Sequence, residues 1–265
     1  MPKRFLLIIT GLCLFANVKL DAQEMDFGGM AGGTYYMGEL NPGKQFLMTR
    51  PAFGGLLRYN VDSRWAARLN VLFGRIAGDD AVSKADELRN LRFRSAITEI
   101  SMIGEFNFLD YYTGSQVNFF SPYLLGGLGY FTYNPKAPYG GEYVELHDKN
   151  TEGGDSDYKL YGVAAIFGFG IKYSVNSKIG LALEWGMRKT FTDYLDDISQ
   201  QYYIDFNTVT TLTEEEILSD PSDIKHSPDQ YRGNPDNNDW YSFAGLTISY
   251  RFRLGEKTTC QEFEK

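Results

Sequence analysis

Histidine and cysteine are scarce in this 265-residue chain, which holds two of each. His147 and His226 fall in loop-like stretches with no metal-ligand or triad spacing around them, which argues against the common zinc sites and a histidine-based nucleophile relay. Cys13 lies in the leading apolar run and Cys260 near the end, so the cysteines form no disulfide framework. No glycine-rich phosphate loop opens a helix, and no nucleophile elbow is present. Beyond residue 22 no window approaches the ~20 continuous apolar residues of a spanning helix. Nor does any basic run offer a footprint for nucleic acid. These absences point away from catalysis, a bound cofactor, a helical membrane anchor and nucleic-acid binding.

At the start of the chain, residues 1–22 combine Lys3 and Arg4, an apolar stretch over 5–18, and Leu20-Asp21-Ala22 before Gln23. That is the pattern of a secretory signal cleaved after Ala22. Leu12 precedes Cys13 where a lipoprotein signal needs a small residue. Removing the signal takes the formal charge from -8 to -10. With 43% hydrophobic and 15% aromatic residues the chain can build a core or an apolar belt, and a disordered chain is excluded.

The pattern that organises the chain is alternation. In residues 178–190, Ile179, Leu181, Leu183, Trp185 and Met187 share one face of an extended strand, while Gly180, Ala182, Glu184, Gly186 and Arg188 share the other. Similar segments are predicted at 26–37, 51–61, 64–74, 96–108, 119–133, 158–173 and 240–254. Between them the connections run long, short, long, medium, long, short and very long. The two short turns, at Val61-Asp62-Ser63-Arg64 and Val175-Asn176-Ser177-Lys178, have the same chemistry. In the longest connection, 191–239, a short helix is predicted from Glu214, with Thr213 and Glu216 in capping-box spacing.

Eight strands with this asymmetry predict an all-β fold, an eight-stranded antiparallel transmembrane β-barrel of the outer membrane. Its parts are a signal peptide (1–22), a barrel with long extracellular loops (23–254) and a periplasmic tail (255–265). With the apolar faces toward lipid, Arg58, Arg64, Arg68, Glu99, Glu105, Lys172, Glu184, Arg188, Arg251 and Arg253 point inward. Several of these sit at the turn rim, while Arg68, Glu99, Glu105, Glu184 and Arg188 should lie deeper. An eight-stranded barrel is just wide enough for its own side chains, so these groups are predicted to form a structural ion network rather than line a pore. Asp193, Asp196 and Asp197, just past the seventh strand, form an acidic rim where calcium or plain solvation is the alternative. Cys260 is either a free thiol or the site of an intermolecular disulfide to a periplasmic partner.

Six stretches together carry a resemblance: YYMGELNP (35–42), ELRNLRFRS (87–95), EFNF (105–108), FSPYLLGGLGYFTYNPKAP (120–138), NTEGG (150–154) and RKTFTDYLDDIS (188–199). Through them nearly the whole mature chain resembles the PorG-like family, the outer-membrane barrel component of the type IX secretion system of Bacteroidetes-type bacteria. The family pattern reads Leu-Gly-Thr-Glu-Gly where this chain has Lys149-Asn150-Thr151-Glu152-Gly153. The resemblance implies a non-enzymatic barrel that couples a periplasmic ring, made of a lipoprotein and a partner subunit, to the outer membrane and its lipid. Under it, Cys260 and the short periplasmic turns become the implied contact surface. Residue physics alone leaves open a second reading, a surface adhesin or ligand-binding barrel acting through the acidic loops 134–157 and 191–239.

Overall fold

The structure, a computed structural model, describes residues 23–153, 158–209 and 211–254. The signal, the tail and Cys260 lie outside the described residues. Strands β1 (Gln23–Met37), β2 (Arg50–Asn60), β3 (Trp65–Asp79), β4 (Arg92–Asn107) and β5 (Phe120–Tyr139) pair antiparallel in sequence order. A short β6 (Glu142–Glu145) folds back on the end of β5. β7 (Tyr161–Ser174), β8 (Ile179–Thr190) and β9 (Trp240–Leu254) continue the sheet from β5, and β9 pairs with β1 to close it. The result is a closed eight-stranded antiparallel barrel, as the alternation predicts, with β6 as an extra hairpin arm.

The two tight turns share one mechanism. Asp62 accepts from the backbone N–H groups of Arg64 (2.6 Å) and Trp65 (2.7 Å), and Asn176 accepts from those of Lys178 and Ile179 (both 2.9 Å). In each, a short polar side chain replaces a strand partner for two N–H groups and reverses the chain.

At the opposite end the barrel walls run past their predicted limits. β3 extends to Asp79, β4 begins at Arg92, and β5 continues through 134–139, which the sequence reading assigns to a loop. Pro135 and Pro138 suggested that loop, yet a proline removes only its own N–H donor. Pro135 still accepts from the Leu146 N–H at 3.0 Å, and the Asn134 N–H finds the Ser95 hydroxyl at 2.9 Å.

Facing follows the period-two rule. Phe53, Leu69, Ile100, Met102, Leu128, Phe169, Leu183 and Ile248 all face outward, with Met102 71% exposed. Outward aromatics pair at both ends of this belt, with Trp65–Phe106 (4.9 Å) and Phe119–Tyr173 (5.6 Å) at the short-turn end and Tyr130–Tyr161 (5.9 Å) at the other. A belt of this kind, flanked by aromatic girdles, suits a lipid bilayer. In water it would leave an apolar surface far beyond what a soluble protein tolerates.

Inside, the residues that break the alternation help fill space. Leu56 and Leu72 pack with Met30, Ala52 and Phe243; Ile103 and Ile166 pack with Tyr123 and Leu125. Higher up, Tyr36, Ile76, Phe93, Ile97, Phe131 and Tyr241 form an aromatic layer joined to Leu40, Leu91, Leu195 and Ile198 from the loops.

Candidate functional site

Three arrangements lie along the barrel axis: a plug at the short-turn mouth, an ion network in the lumen, and a loop cap above it. The plug comes from the β4–β5 connection. Tyr111 and Thr113 turn inward, and the Thr113 hydroxyl donates to Asp26 at 2.9 Å while its carbonyl accepts from Arg251 at 2.6 Å. Gly114 has φ +90, and a Cβ there would strike the Ser177 carbonyl, so the close approach to the β7–β8 turn requires glycine.

All five predicted lumen residues are buried within the barrel. Glu105 is the hub: it accepts from Arg58 Nε (2.8 Å) and Lys172 Nζ (2.6 Å) and forms an ion pair with Arg68 Nη1 (3.1 Å). Arg68 also donates to Glu184 at 2.6 Å, and the Tyr123 hydroxyl donates to the same carboxylate at 2.9 Å. Arg58 reaches Asp26 at 3.3 Å. Nearer the cap a second group joins Arg188 to Glu99 at 3.0 Å, with the Tyr241 hydroxyl at 2.8 Å from Glu99. Asp26, Glu99, Glu105 and Glu184 thus face Arg58, Arg68, Lys172 and Arg188, four carboxylates against four cations.

Two of the remaining residues lie at the turn rim, where the sequence reading set several of the ten. Arg64 pairs with Asp110 at 2.7 Å on the exposed rim, because the turn at 61–64 carries it clear of the mouth. Arg251 meets the plug rather than the ionic hub. The side chain of Arg253 lies outside the described residues. Sequence reasoning missed Asp26 and Tyr123, whose register the glycines of β1 and β5 obscured, although alternation through Thr34 and Tyr36 would have turned Asp26 inward; Tyr241 of β9 shared the inward face of Arg251 but was not read as a partner of the ion network.

The cap is built from 38–49, 80–91, 146–153 and 191–239. It includes α1 (Asp80–Ser83) and α2 (Glu214–Ser219), whose Thr213–Glu216 capping box forms as the spacing predicts. Two buried arginines pin the loops. Arg89 forks onto Asp80 (2.9 and 2.8 Å) and donates to the carbonyls of Glu39 and Arg232. Arg232 reaches Glu152 at 3.1 Å, and Glu152 in turn accepts from the N–H groups of Ser199 (2.8 Å) and Gln200 (3.0 Å). Stretches 35–42, 87–95, 150–153 and 188–199, which carry the resemblance, therefore meet in this cap.

The acidic rim differs from the expected trio. Asp197 turns toward Thr151, Tyr158 (2.6 Å) and Arg232, and burial pushes its carboxyl up to about 6 against the pull of Arg232. Asp193 instead meets Glu39 and Asp239, each offering an oxygen within 4.8 Å of the others. The chain arrives there from two connections, β1–β2 and the two ends of β8–β9, which linear spacing could not reveal. The Tyr36 hydroxyl contacts both Asp196 and Asp239 (2.9 Å to the latter), and one hydroxyl proton cannot serve both, so one of these carboxyls carries a proton. Burial, reinforced by mutual repulsion, raises Asp196 and Asp239 well above the carboxylate range. Burial and then Glu39 push Asp193 up to about 8. A shared proton satisfies this arrangement, and calcium is the alternative its oxygen donors would suit.

A closed eight-stranded barrel with a lipid-facing apolar belt and a filled, charge-balanced interior is a transmembrane β-barrel of the outer-membrane type. Within that class, the chain belongs to the family described as "Domain of unknown function (DUF6089)", whose model matches residues 3–209. No curated protein matches the chain. Among solved structures it is similar to the N-terminal β-barrel domain of OprF from Pseudomonas aeruginosa, with 11% identity, 86% of this chain and 97% of that one covered, and a TM-score of 0.41. Similar values hold for Ail, the attachment invasion locus protein of Yersinia pestis (10% identity, 87% and 99% covered, TM-score 0.43). The outer membrane protein OprG of Pseudomonas aeruginosa gives 10% identity, 87% and 96% covered, and a TM-score of 0.44.

Proposed function

We propose that this chain is a non-enzymatic outer-membrane subunit of a type IX secretion machine, coupling a periplasmic ring to the membrane. The observation that carries the reading is the blocked axis, with plug, ion network and cap in series. A barrel filled in this way is unsuited to conduct cargo and suited to act as a rigid membrane anchor. Substrate would then leave by another component of the assembly. The stretches that resemble the PorG-like family support the assignment, and the compact short-turn face, with the tail beyond it, is the side offered to a ring lipoprotein and its partner subunit.

Purification from gently solubilised native outer membranes tests this reading. Ring subunits should be recovered in fixed stoichiometry, and deletion of the chain should abolish surface export; a lone barrel with export intact would contradict it. If Cys260 tethers the tail, non-reducing gels show a higher-mass species that Cys260→Ser removes.

A second reading, a ligand-binding or adhesive barrel, is favoured by one feature: the cap presents Leu88, Ile224 and Tyr231 to solvent, with Tyr231 74% exposed. Loop truncation that removes binding to a surface while leaving export intact would select it.

A further inference from the structure

The outer flank of β2 to β5, where the walls rise past the apolar belt, breaks from the acidic character of the chain. Outward on adjoining strands, Phe73, Ile100 and Tyr130 end the belt. Above them the ladder sets Arg75 opposite Ala96, Ala77 opposite Arg94, and Arg94 opposite Lys136. Arg50 and Arg92 border the same cleft, about 460 Å³ in volume.

Some of this charge is neutralised within the protein, since Arg92 pairs with Asp79 (2.8 Å) and Lys136 with Glu145 (2.7 Å). The guanidinium of Arg94 stacks over the Tyr143 ring at 3.4 Å, which fixes its plane at the cleft wall. Arg50, Arg75 and Arg94 have no carboxylate partner among the described residues. Arg94 lies directly opposite Lys136, whose charge Glu145 offsets, so the uncompensated cations along the cleft are Arg50, Arg75 and Arg94. Like charges gathered on a sheet face repel; an anion seated among these arginines turns that repulsion into attraction, and guanidinium groups bind phosphate oxygens in pairs.

We infer that this cleft binds the phosphorylated headgroup of an outer-leaflet lipid, with its acyl chains lying down the apolar wall of β3 to β5. The inference rests on the membrane-spanning reading of the barrel. The height of the cations, just above the belt, places them at headgroup level, which selects a lipid over a soluble anion. Their spread across four strands fits a headgroup with more than one phosphate, and the volume lies within the usual range for ligand clefts.

The test uses the mature full chain refolded into phosphatidylcholine vesicles, with insertion read from the heat-modifiable gel shift. Bisphosphorylated lipid A is the probe, and its retention through repurification is measured by native mass spectrometry. The comparison arms are the same lipid with its phosphates removed, phosphatidylglycerol and inorganic phosphate. Retention should need the phosphates, withstand millimolar inorganic phosphate and exceed that of phosphatidylglycerol. It should fall roughly tenfold or more in R50Q/R75Q/R94Q, whose exposed positions leave insertion unchanged. Equal retention of dephosphorylated lipid or phosphatidylglycerol, displacement by inorganic phosphate, or a variant that retains lipid A as wild type does, would each overturn the inference while leaving the barrel reading intact. A chain that fails to insert overturns the membrane reading itself, and the inference with it.

Discussion

The lumen and the cap both bury charge, but they handle it differently. In the lumen four carboxylates meet four cations, and Glu105 alone holds Arg58, Arg68 and Lys172. In the cap Arg89 and Arg232 are the buried arginines among the described residues, while Asp80, Glu152, Asp193, Asp196, Asp197, Asp220 and Asp239 are buried carboxyls. Isolated buried charge costs several kcal/mol, so the lumen resolves it by pairing, while the cap pairs Asp80 and Glu152 with its arginines and leaves Asp193, Asp196 and Asp239 to protonation. The difference teaches that removing a lumen carboxylate should harm the barrel, whereas removing one of the protonated cap carboxyls should relieve the cap.

The largest loss is expected at the hub. Glu105→Gln leaves three cations sharing one fewer negative charge and should destabilise the barrel by about 3–5 kcal/mol, read from urea unfolding in detergent. Glu99 pairs with one cation, Arg188, among the described residues and accepts from Tyr241, so Glu99→Gln should cost less, about 2–3 kcal/mol in the same assay. Equal losses at the two sites would break the picture of a hub.

In the cap the sign reverses. Asp193 is held protonated up to about 8 in the folded state, against an ordinary value near 3.8. Between those values the folded state binds more protons than the unfolded one, so the stability of the cap falls as pH rises toward 8. Asp193→Asn should therefore stabilise the cap increasingly from pH 4 to pH 8, by up to about 5 kcal/mol at pH 8 and by nearly nothing below pH 4. Limited proteolysis of residues 191–239 in chelator across that range reads the difference, and a variant cut faster than wild type at pH 8 would contradict it. The smallest effect is local. Thr213→Ala removes the reciprocal cap of α2 and should cost at most about 1 kcal/mol, seen as faster amide exchange at 214–219 with the lumen unaffected.

Alternation made the wall of the barrel legible in the sequence. A period of two fixes which face each side chain takes once the apolar side is assigned to lipid, so Arg68, Glu99, Glu105, Glu184 and Arg188 could be placed inside before any pairing was known. The turn chemistry at Asp62 and Asn176 was visible for the same reason: it acts within a few residues. Partners across the lumen were not legible, because the register between Arg68 and Glu184 depends on the six other barrel strands. The cap was least legible. Glu39 meets Asp193 and Asp239 through two connections whose paths follow from packing on Tyr36 and Leu195, not from any local pattern. Pro135 misled for a physical reason, since the extended β5 uses its carbonyl and not its missing N–H, and Pro138 sits opposite Tyr143 in the β5–β6 arm.

The central claim is that the apolar faces meet lipid while the ionic faces are sealed inside. Nitroxide labels placed one at a time at Ile100, Met102, Leu128 and Phe169, in the chain refolded into vesicles, test it most directly. Strong relaxation by dissolved oxygen and weak relaxation by a water-soluble nickel chelate at all four positions is the predicted result. Strong relaxation by the nickel chelate at these positions would contradict it.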